Sequence, residues 1–348
     1  MIKNKKYIIF RADADSKIGI GHFMRCFAIA QAWRKNNGNV QFITNCKNDS
    51  LLQRLKNEDI EIFLLEHSYP NPKDWEYTNN ILSVHKNSWF VLDGYHFDEN
   101  YQILIKKSGN KLLMIDDVAK LNHYCADIIL NQNLDANENL YVNREPHTKL
   151  LIGHQYVLLR NEFIKWSGWK RKIPKLAKNV LISLGGGDFN NITMKVVDSL
   201  KHINVPNLNV KIVLGSFNHN LKSLEKSIDS IPFEIDILQN VQNMPDLMAW
   251  ADIAILASGT TSWEAAFMGL PSILLILSDN QFAIANKLES YGISKNLGWY
   301  NEVSFMKIQD KFEHLAKSNK ARSEMSKRGS KLIDGNGFNR VISEFTFN

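Results

Sequence analysis

A chain of 348 residues exceeds one ordinary core and suits two domains, since single domains cluster near roughly 100–200 residues. With 44% hydrophobic and 22% charged residues the composition is globular and excludes a disordered chain. The formal net charge of +6 arises from scattered cations with no basic run beyond Lys170-Arg171-Lys172, which argues against a nucleic-acid face and mildly favours an anionic ligand.

Short apolar runs alternate with helix-length segments along the chain, the pattern of repeated βαβ units and a parallel sheet. The basic start is followed by an apolar run, 7–10, too short for a signal h-region because Arg11 and Asp13 interrupt it; it reads as the first strand. Further strands are expected at 40–44, 60–65, 89–92, 112–115 and 128–130. In the second half they are expected at 180–184, 210–214, 234–238, 253–257 and 272–277. The pattern lapses between 158 and 179, which reads as a linker and divides the chain into domains 1–170 and 171–348. Residues 308–348 read as helices broken at Gly335 and Gly337. No segment approaches the ~20 apolar residues of a membrane span. Cys26, Cys46 and Cys125 are odd in number and lack a CxxC spacing, so neither a disulfide framework nor a zinc motif is suggested, and a cytoplasmic location is expected.

Two doubly wound halves place ligands at the carboxyl ends of their strands, here expected around a shared interdomain cleft, so the strand-to-helix turns matter most. The first runs from Arg11 through Gly19 and Gly21 to His22, before a helical segment 23–34. Its glycines permit close backbone approach, and the helix start offers N–H groups to an anion. A histidine there can simply cap or pack. The Gly-x-Gly-His setting instead favours a neutral ring at the cleft, able to accept a proton. In the second half, Gly185-Gly186-Gly187-Asp188 suits a pyrophosphate or tight strand–helix packing, without the ending of a P-loop. Ser258-Gly259-Thr260-Thr261 presents hydroxyls and amides to a phosphate. Thr261 and Glu264 have capping-box spacing, and Glu264 could alternatively accept bonds from a ribose diol. Ser278-Asp279-Asn280-Gln281 opens another helix as an N-cap cluster. Asp93-Gly94-Tyr95-His96 and Asp116-Asp117 close the first half's side; without further acids or histidines at ligand spacing, no metal is expected.

Taken in order, Phe10-Arg11, Gly-x-Gly-His22-x-Met-Arg25-Cys26, Asp93-Gly-Tyr95, Asp116-Asp117, Tyr156…Arg160-x-Glu162-Phe163, Gly259-Thr-Thr-x-Trp-Glu264 and Asp279-Asn280-Gln281 resemble the PseG family. Those enzymes hydrolyse UDP-2,4-diacetamido-2,4,6-trideoxy-β-L-altropyranose in bacterial pseudaminic (nonulosonic) acid biosynthesis, which serves flagellin or surface polysaccharide. The resemblance implies an α/β, GT-B type fold of two Rossmann-like domains, similar to MurG. It also implies metal-free and cofactor-free inverting hydrolysis of a small-molecule UDP-sugar, with His22 as general base. Arg11, Gly21, Arg25, Tyr95, Gly186, Ser258, Gly259, Thr260, Thr261, Glu264, Asn280 and Gln281 are then the substrate-binding residues. A monomer without nucleic-acid or membrane partners is expected. The rivals are a GT-B glycosyltransferase using a UDP-sugar donor with an acceptor alcohol in place of water, and a UDP-sugar 2-epimerase.

Overall fold

The computed structural model describes residues 6–186, 191–215, 217–218, 221–228 and 231–347. It divides into two compact units, one made of Met1–Asn161 with Asn336–Asn348 and the other of Glu162–Gly335. The boundary lies earlier than the expected residue 170. The C-terminal segment, expected in the second domain, returns to the first, because its apolar side chains are buried there.

The first unit carries seven parallel strands, β1 (Tyr7–Ala12), β2 (Asn39–Thr44), β3 (Glu61–Leu64), β4 (Trp89–Asp93), β5 (Lys111–Ile115), β6 (Ile128–Asn131) and β7 (Lys149–Ile152), in the order β3-β2-β1-β4-β5-β6-β7. Register is set by pairs such as Ile8 with Val40 on one side and Ile8 with Trp89 on the other. The strands of a sheet covered on both faces read as unbroken apolar runs, as in β4, where every residue from Trp89 to Asp93 is buried. Ile9, Phe90, Leu92, Leu112, Met114 and Ile129 form the centre of one core. Helix α1 (Gly21–Lys35) is buried from His22 through Ala32, so it runs through the unit with no solvent face along most of its length.

The second unit repeats the plan with β8 (Asn179–Ser183), β9 (Asn209–Leu214), β10 (Glu234–Gln239), β11 (Ile253–Ala257), β12 (Ser272–Ile276) and β13 (Ser294–Trp299). The order is β10-β9-β8-β11-β12-β13, again all parallel. Val180, Ile182, Ile253, Ile255, Ile273 and Leu275 are buried in its core. Both sheets reverse direction of winding beside their first strand, between β1 and β4 and between β8 and β11, and such switch points are where open α/β sheets bind ligands. Eleven strands lie where the apolar runs put them. The two not expected, β7 and β13, lie at sheet edges. Their sequences, Lys-Leu-Leu-Ile and Ser-Lys-Asn-Leu-Gly-Trp, carry only short or diluted apolar signals.

Among the described residues no helix is long and apolar enough to cross a membrane.

Candidate active site

In the first unit the turn after β1 is built by Asp15, whose carboxylate accepts from the amides of Lys17 at 2.7 Å and Ile18 at 2.6 Å. Gly19 then turns back with φ +78°, a left-handed conformation that favours glycine. Its amide donates to the Asp15 carbonyl at 2.9 Å. Gly21 opens α1, no side chain caps that helix, and His22 follows in its first turn.

His22 and Asp93 meet from opposite sides of the switch point. His22 Nδ1 lies 2.7 Å from Asp93 Oδ1, at the carboxyl end of β4. Arg25 Nη2 also lies 3.2 Å from Nδ1, but the ionised carboxylate at the shorter distance favours the tautomer in which Nδ1–H donates to Asp93 and Nε2 is the ring's acceptor. Asp93 is fully buried. Burial alone would raise its carboxyl, but the Arg25 guanidinium and the His22 ring outweigh that and hold it below the ordinary value. Arg25 donates to Asp93 through Nε at 2.5 Å and Nη2 at 2.8 Å, and to Asp117 through Nη1 at 2.8 and 2.6 Å. Tyr95 donates its hydroxyl to Asp117 at 2.9 Å and sets its ring edge-on to His22, with centroids 4.5 Å apart. Burial, then the Asp117 charge, push the Tyr95 phenol well up, so it stays a donor.

Behind this lies a second buried network. Arg11 donates to Asp13 at 2.5 and 2.9 Å and to Asp74 at 2.5 Å. Asp13 also accepts from the Asn45 amide at 2.6 Å and the Ser68 hydroxyl at 2.8 Å, and His96 Nε2 lies 3.2 Å from it. Burial would raise the Asp13 carboxyl, yet His96 and Arg11 with these bonds hold it far below the usual range.

The expected site residues of this unit therefore divide. His22, Gly21 and Tyr95 come together. Arg11 and Arg25, expected at the substrate, are instead buried at 0% and 5% exposure and engaged by carboxylates, so their place is that of struts. Asp116 and Asp117 are likewise taken up by protein: Asp116 accepts from Tyr124 at 2.5 Å and from the Val118 amide at 2.9 Å. Sequence reasoning gave Asp93 and Asp13 no role. Their positions at the ends of β4 and β1 were the available signal, but the pairing itself spans 71 residues for Asp93 and His22.

In the second unit Gly185 has φ +90° after β8, and a Cβ on Gly215 would lie 2.3 Å from the Gly185 carbonyl oxygen, so the β9 turn packs tightly on the Gly185–Gly186 backbone. Gly187 and Asp188 lie outside the described residues. The helix Thr260–Phe267 starts with Gly259 as N-cap and no side chain caps it, so the expected Thr261–Glu264 capping box does not form. Thr260 and Thr261 are half-buried in its first turn. Ser258, expected at the substrate, is fully buried and donates its hydroxyl to the Leu275 carbonyl at 3.1 Å, because it closes the β11–β12 junction. Glu264 is 8% exposed. After β12 a single 3-10 turn, Asp279–Gln281, leads into the helix Phe282–Ser290, again without a side-chain N-cap. Asn280 accepts from the Ser278 hydroxyl at 2.6 Å, and Gln281 accepts from the Leu277 amide at 3.0 Å. Gln281 Nε2 would lie 3.9 Å from a Cβ on Gly259, which brings these two turns together.

Two doubly wound parallel units, one with a histidine–carboxylate pair and the other with glycine and hydroxyl turns at its switch point, define an α/β protein of GT-B type. Comparison with known proteins agrees. Residues 179–341 match the glycosyltransferase family 28 C-terminal domain. The solved structure of MurG from Acinetobacter baumannii superposes with TM-score 0.66 at 16% identity, covering 97% of this chain and 98% of that one. An uncharacterised protein of Methanocaldococcus jannaschii is 27% identical over 77% of this chain, which spans 55% of that relative's length. The UDP-2,4-diacetamido-2,4,6-trideoxy-β-L-altropyranose hydrolase of Campylobacter jejuni is 25% identical, over 82% of this chain and 97% of the relative.

Proposed function

We propose that this chain hydrolyses UDP-2,4-diacetamido-2,4,6-trideoxy-β-L-altrose, or a close diacetamido-trideoxy analogue, to the free sugar and UDP in pseudaminic acid biosynthesis. The observation that carries the reading is the His22–Asp93 pair at 2.7 Å, which leaves an imidazole nitrogen free to accept a proton. The likeness to the Campylobacter jejuni hydrolase supports the substrate.

Water attacks the anomeric carbon as the bond from that carbon to the diphosphate oxygen breaks, and the water's proton passes to His22 Nε2. Inversion requires the base on the sugar face opposite the leaving group. UDP leaves as a phosphate-ester anion whose conjugate acid has a pKa of roughly 6, so no protein acid has to protonate it. It needs only donors for its charge. The Gly185–Gly186 turn and the uncapped start of the helix Thr260–Phe267 are the groups assigned to the diphosphate, with Glu264 as acceptor for the ribose and Asn280 and Gln281 beside the sugar. Asp93 fixes the tautomer of His22, and Tyr95 keeps the ring in place.

A glycosyltransferase would use the same nucleotide grip, and the family 28 match over residues 179–341 keeps that reading as the rival. The two separate in one assay. The protein is incubated with the UDP-sugar in isotope-labelled water and EDTA without an acceptor; label in the free sugar with stoichiometric UDP supports hydrolysis, and unreacted donor rejects it. In the same assay His22→Asn is expected to lose turnover by a factor on the order of 10²–10⁴ while still binding UDP. Full turnover in that variant would refute the role given to the imidazole.

A further inference from the structure

The segments that lead into β6 and β7 are joined outside the sheet by a parallel bridge between Tyr124 and Arg144. The Tyr124 amide donates to the Asn143 carbonyl at 2.9 Å, and the Glu145 amide to the Tyr124 carbonyl at 3.0 Å. Side chains two apart in extended chain share a face, so His123 and Cys125 project together while Tyr124 projects oppositely. Tyr124 is buried at 1% exposure, with its hydroxyl on Asp116 at 2.5 Å. On the other face, His123 Nε2 lies 3.1 Å from Glu145 Oε1. The Cys125 thiol is free of any disulfide, and one ligand atom from each of His123, Cys125 and Glu145 lies within 4.8 Å of the other two.

We propose that His123, Cys125 and Glu145 form a three-ligand site for a thiophilic divalent cation of the zinc class, with the fourth position open to water. A tetrahedral ion with zinc–nitrogen, zinc–oxygen and zinc–sulfur bonds of about 2.0, 2.1 and 2.3 Å sets its ligand atoms about 3.3–3.6 Å apart. The His123–Glu145 pair is already near that spacing. Half-exposed side chains, 36% for His123 and 40% for Glu145, leave room for the small rotations that bring the sulfur in. Imidazole, thiolate and carboxylate together supply the mixed nitrogen, sulfur and oxygen set that zinc prefers. Binding exchanges the Cys125 thiol proton for a metal–sulfur bond, and one proton per chain passes to solvent. The thiolate and carboxylate then balance the charge of the ion.

The site precedes β6 and β7 and so lies toward the amino ends of those strands, whereas His22 and Asp93 sit at a carboxyl end. Its role is a clip. The 12 residues 116–127 between β5 and β6 contain no helix or strand, and they begin with Asp116 and Asp117, which anchor Tyr124, Arg25 and Tyr95.

Cobalt(II) is the probe. Titrated into the full chain after removal of metal by chelator, cobalt is expected to give a thiolate-to-cobalt charge-transfer band that saturates at one equivalent and disappears on addition of zinc. Cys125→Ser should abolish the band. His123→Ala and Glu145→Gln should each weaken binding by about tenfold or more, as even partners behind a metal ligand matter by that much. His22→Asn should leave it unchanged. The proposal is overturned by no band at stoichiometric cobalt, by a band that persists in Cys125→Ser, by affinity indifferent to both His123→Ala and Glu145→Gln, or by loss of the band in His22→Asn. Circular dichroism establishes that each variant is folded. Should Cys125→Ser fail to fold, the two exposed substitutions decide the matter.

Discussion

Asp93 is the residue on which the most depends, since its carboxylate pairs with both His22 and Arg25. Asp93→Asn keeps the shape but replaces the acceptor of the Nδ1 proton with a group that can turn a donor toward it. Turnover is expected to fall by a factor on the order of 10²–10⁴, measured as kcat, and a loss under twofold would show that the pair does not set the tautomer. The same change removes one of the two carboxylates paired with buried Arg25 and leaves Asp117, so a loss of about 1–3 kcal/mol is expected, to be read from thermal or denaturant unfolding. The carboxyls of Asp93 and Asp13 are both held below their ordinary values. A depressed folded pKa means that the stabilisation is complete above the unfolded value, roughly 3.9, and is lost as pH falls through the lower folded value. Unfolding followed by circular dichroism should therefore show stability falling only below about pH 4. That acid loss should be shallower in Asp93→Asn, and an unchanged slope would mean the carboxylate is not the group titrating. His22 and Tyr95 lie edge to face, whereas Arg11 and Arg25 are buried and engaged by carboxylates. An arginine in a motif announces a charge, and only its neighbours determine whether a ligand or a carboxylate receives it.

At the scale of elements, glycine positions separate backbone strain from crowding. A Cβ at Gly185 meets nothing within 4 Å, but φ is +90°. Gly185→Ala is thus expected to cost about 1–2 kcal/mol through backbone conformation alone. If the turn holds diphosphate as proposed, UDP affinity in isothermal titration falls with it. Gly329 shows the opposite case. It lies in the helix Asn319–Leu332, where a Cβ would come 2.9 Å from the Ala266 carbonyl oxygen of the helix Thr260–Phe267. Gly329→Ala should destabilise by about 1–3 kcal/mol through overpacking, measured by denaturant midpoint, and a neutral result would mean the two helices separate easily. The central strands were legible because a parallel sheet covered on both faces needs consecutive apolar residues, a purely local signal. Edge strands β7 and β13 need fewer and escaped notice. The Thr261–Glu264 spacing promised a capping box, but Gly259 occupies the N-cap, so the helix starts two positions before the one that would use it.

For the whole molecule, the C-terminal segment decides the integrity of the first unit. The helix Gly337–Ile342 begins where a Cβ on Gly337 would lie 2.1 Å from the Val157 carbonyl oxygen, so only glycine fits against that backbone. Beyond it, Phe345 packs on Trp89 with centroids 4.9 Å apart, and the Trp89 indole donates to the Thr346 carbonyl at 3.0 Å. Lys149 pairs with Glu344 at 2.6 Å. Truncation after Gly335 would expose the sites of Phe338, Val341 and Phe345, each worth about 1.5–3 kcal/mol of burial. The expected result is a lowered melting temperature with early proteolysis within residues 6–161. An unchanged melting curve would mean the first unit does not need its return segment. The boundary expected near residue 170 missed this return because a short helix after two glycines looks alike wherever it docks.

By itself the sequence determined the two-unit α/β plan, the glycine-bearing turns after β1 and β8, and His22 as the histidine of the first turn. These are properties of residues near one another in the chain, where hydrophobic period, glycine and helix starts act over a few positions. Tertiary structure alone decided that Asp93 sits against His22 Nδ1, that Arg11 and Arg25 serve carboxylates, that residues 336–347 complete the first unit, and that Cys125 meets Glu145 beside His123. Each of those depends on charges or shapes brought together across tens to hundreds of residues, and no local pattern encodes which distant partner will arrive.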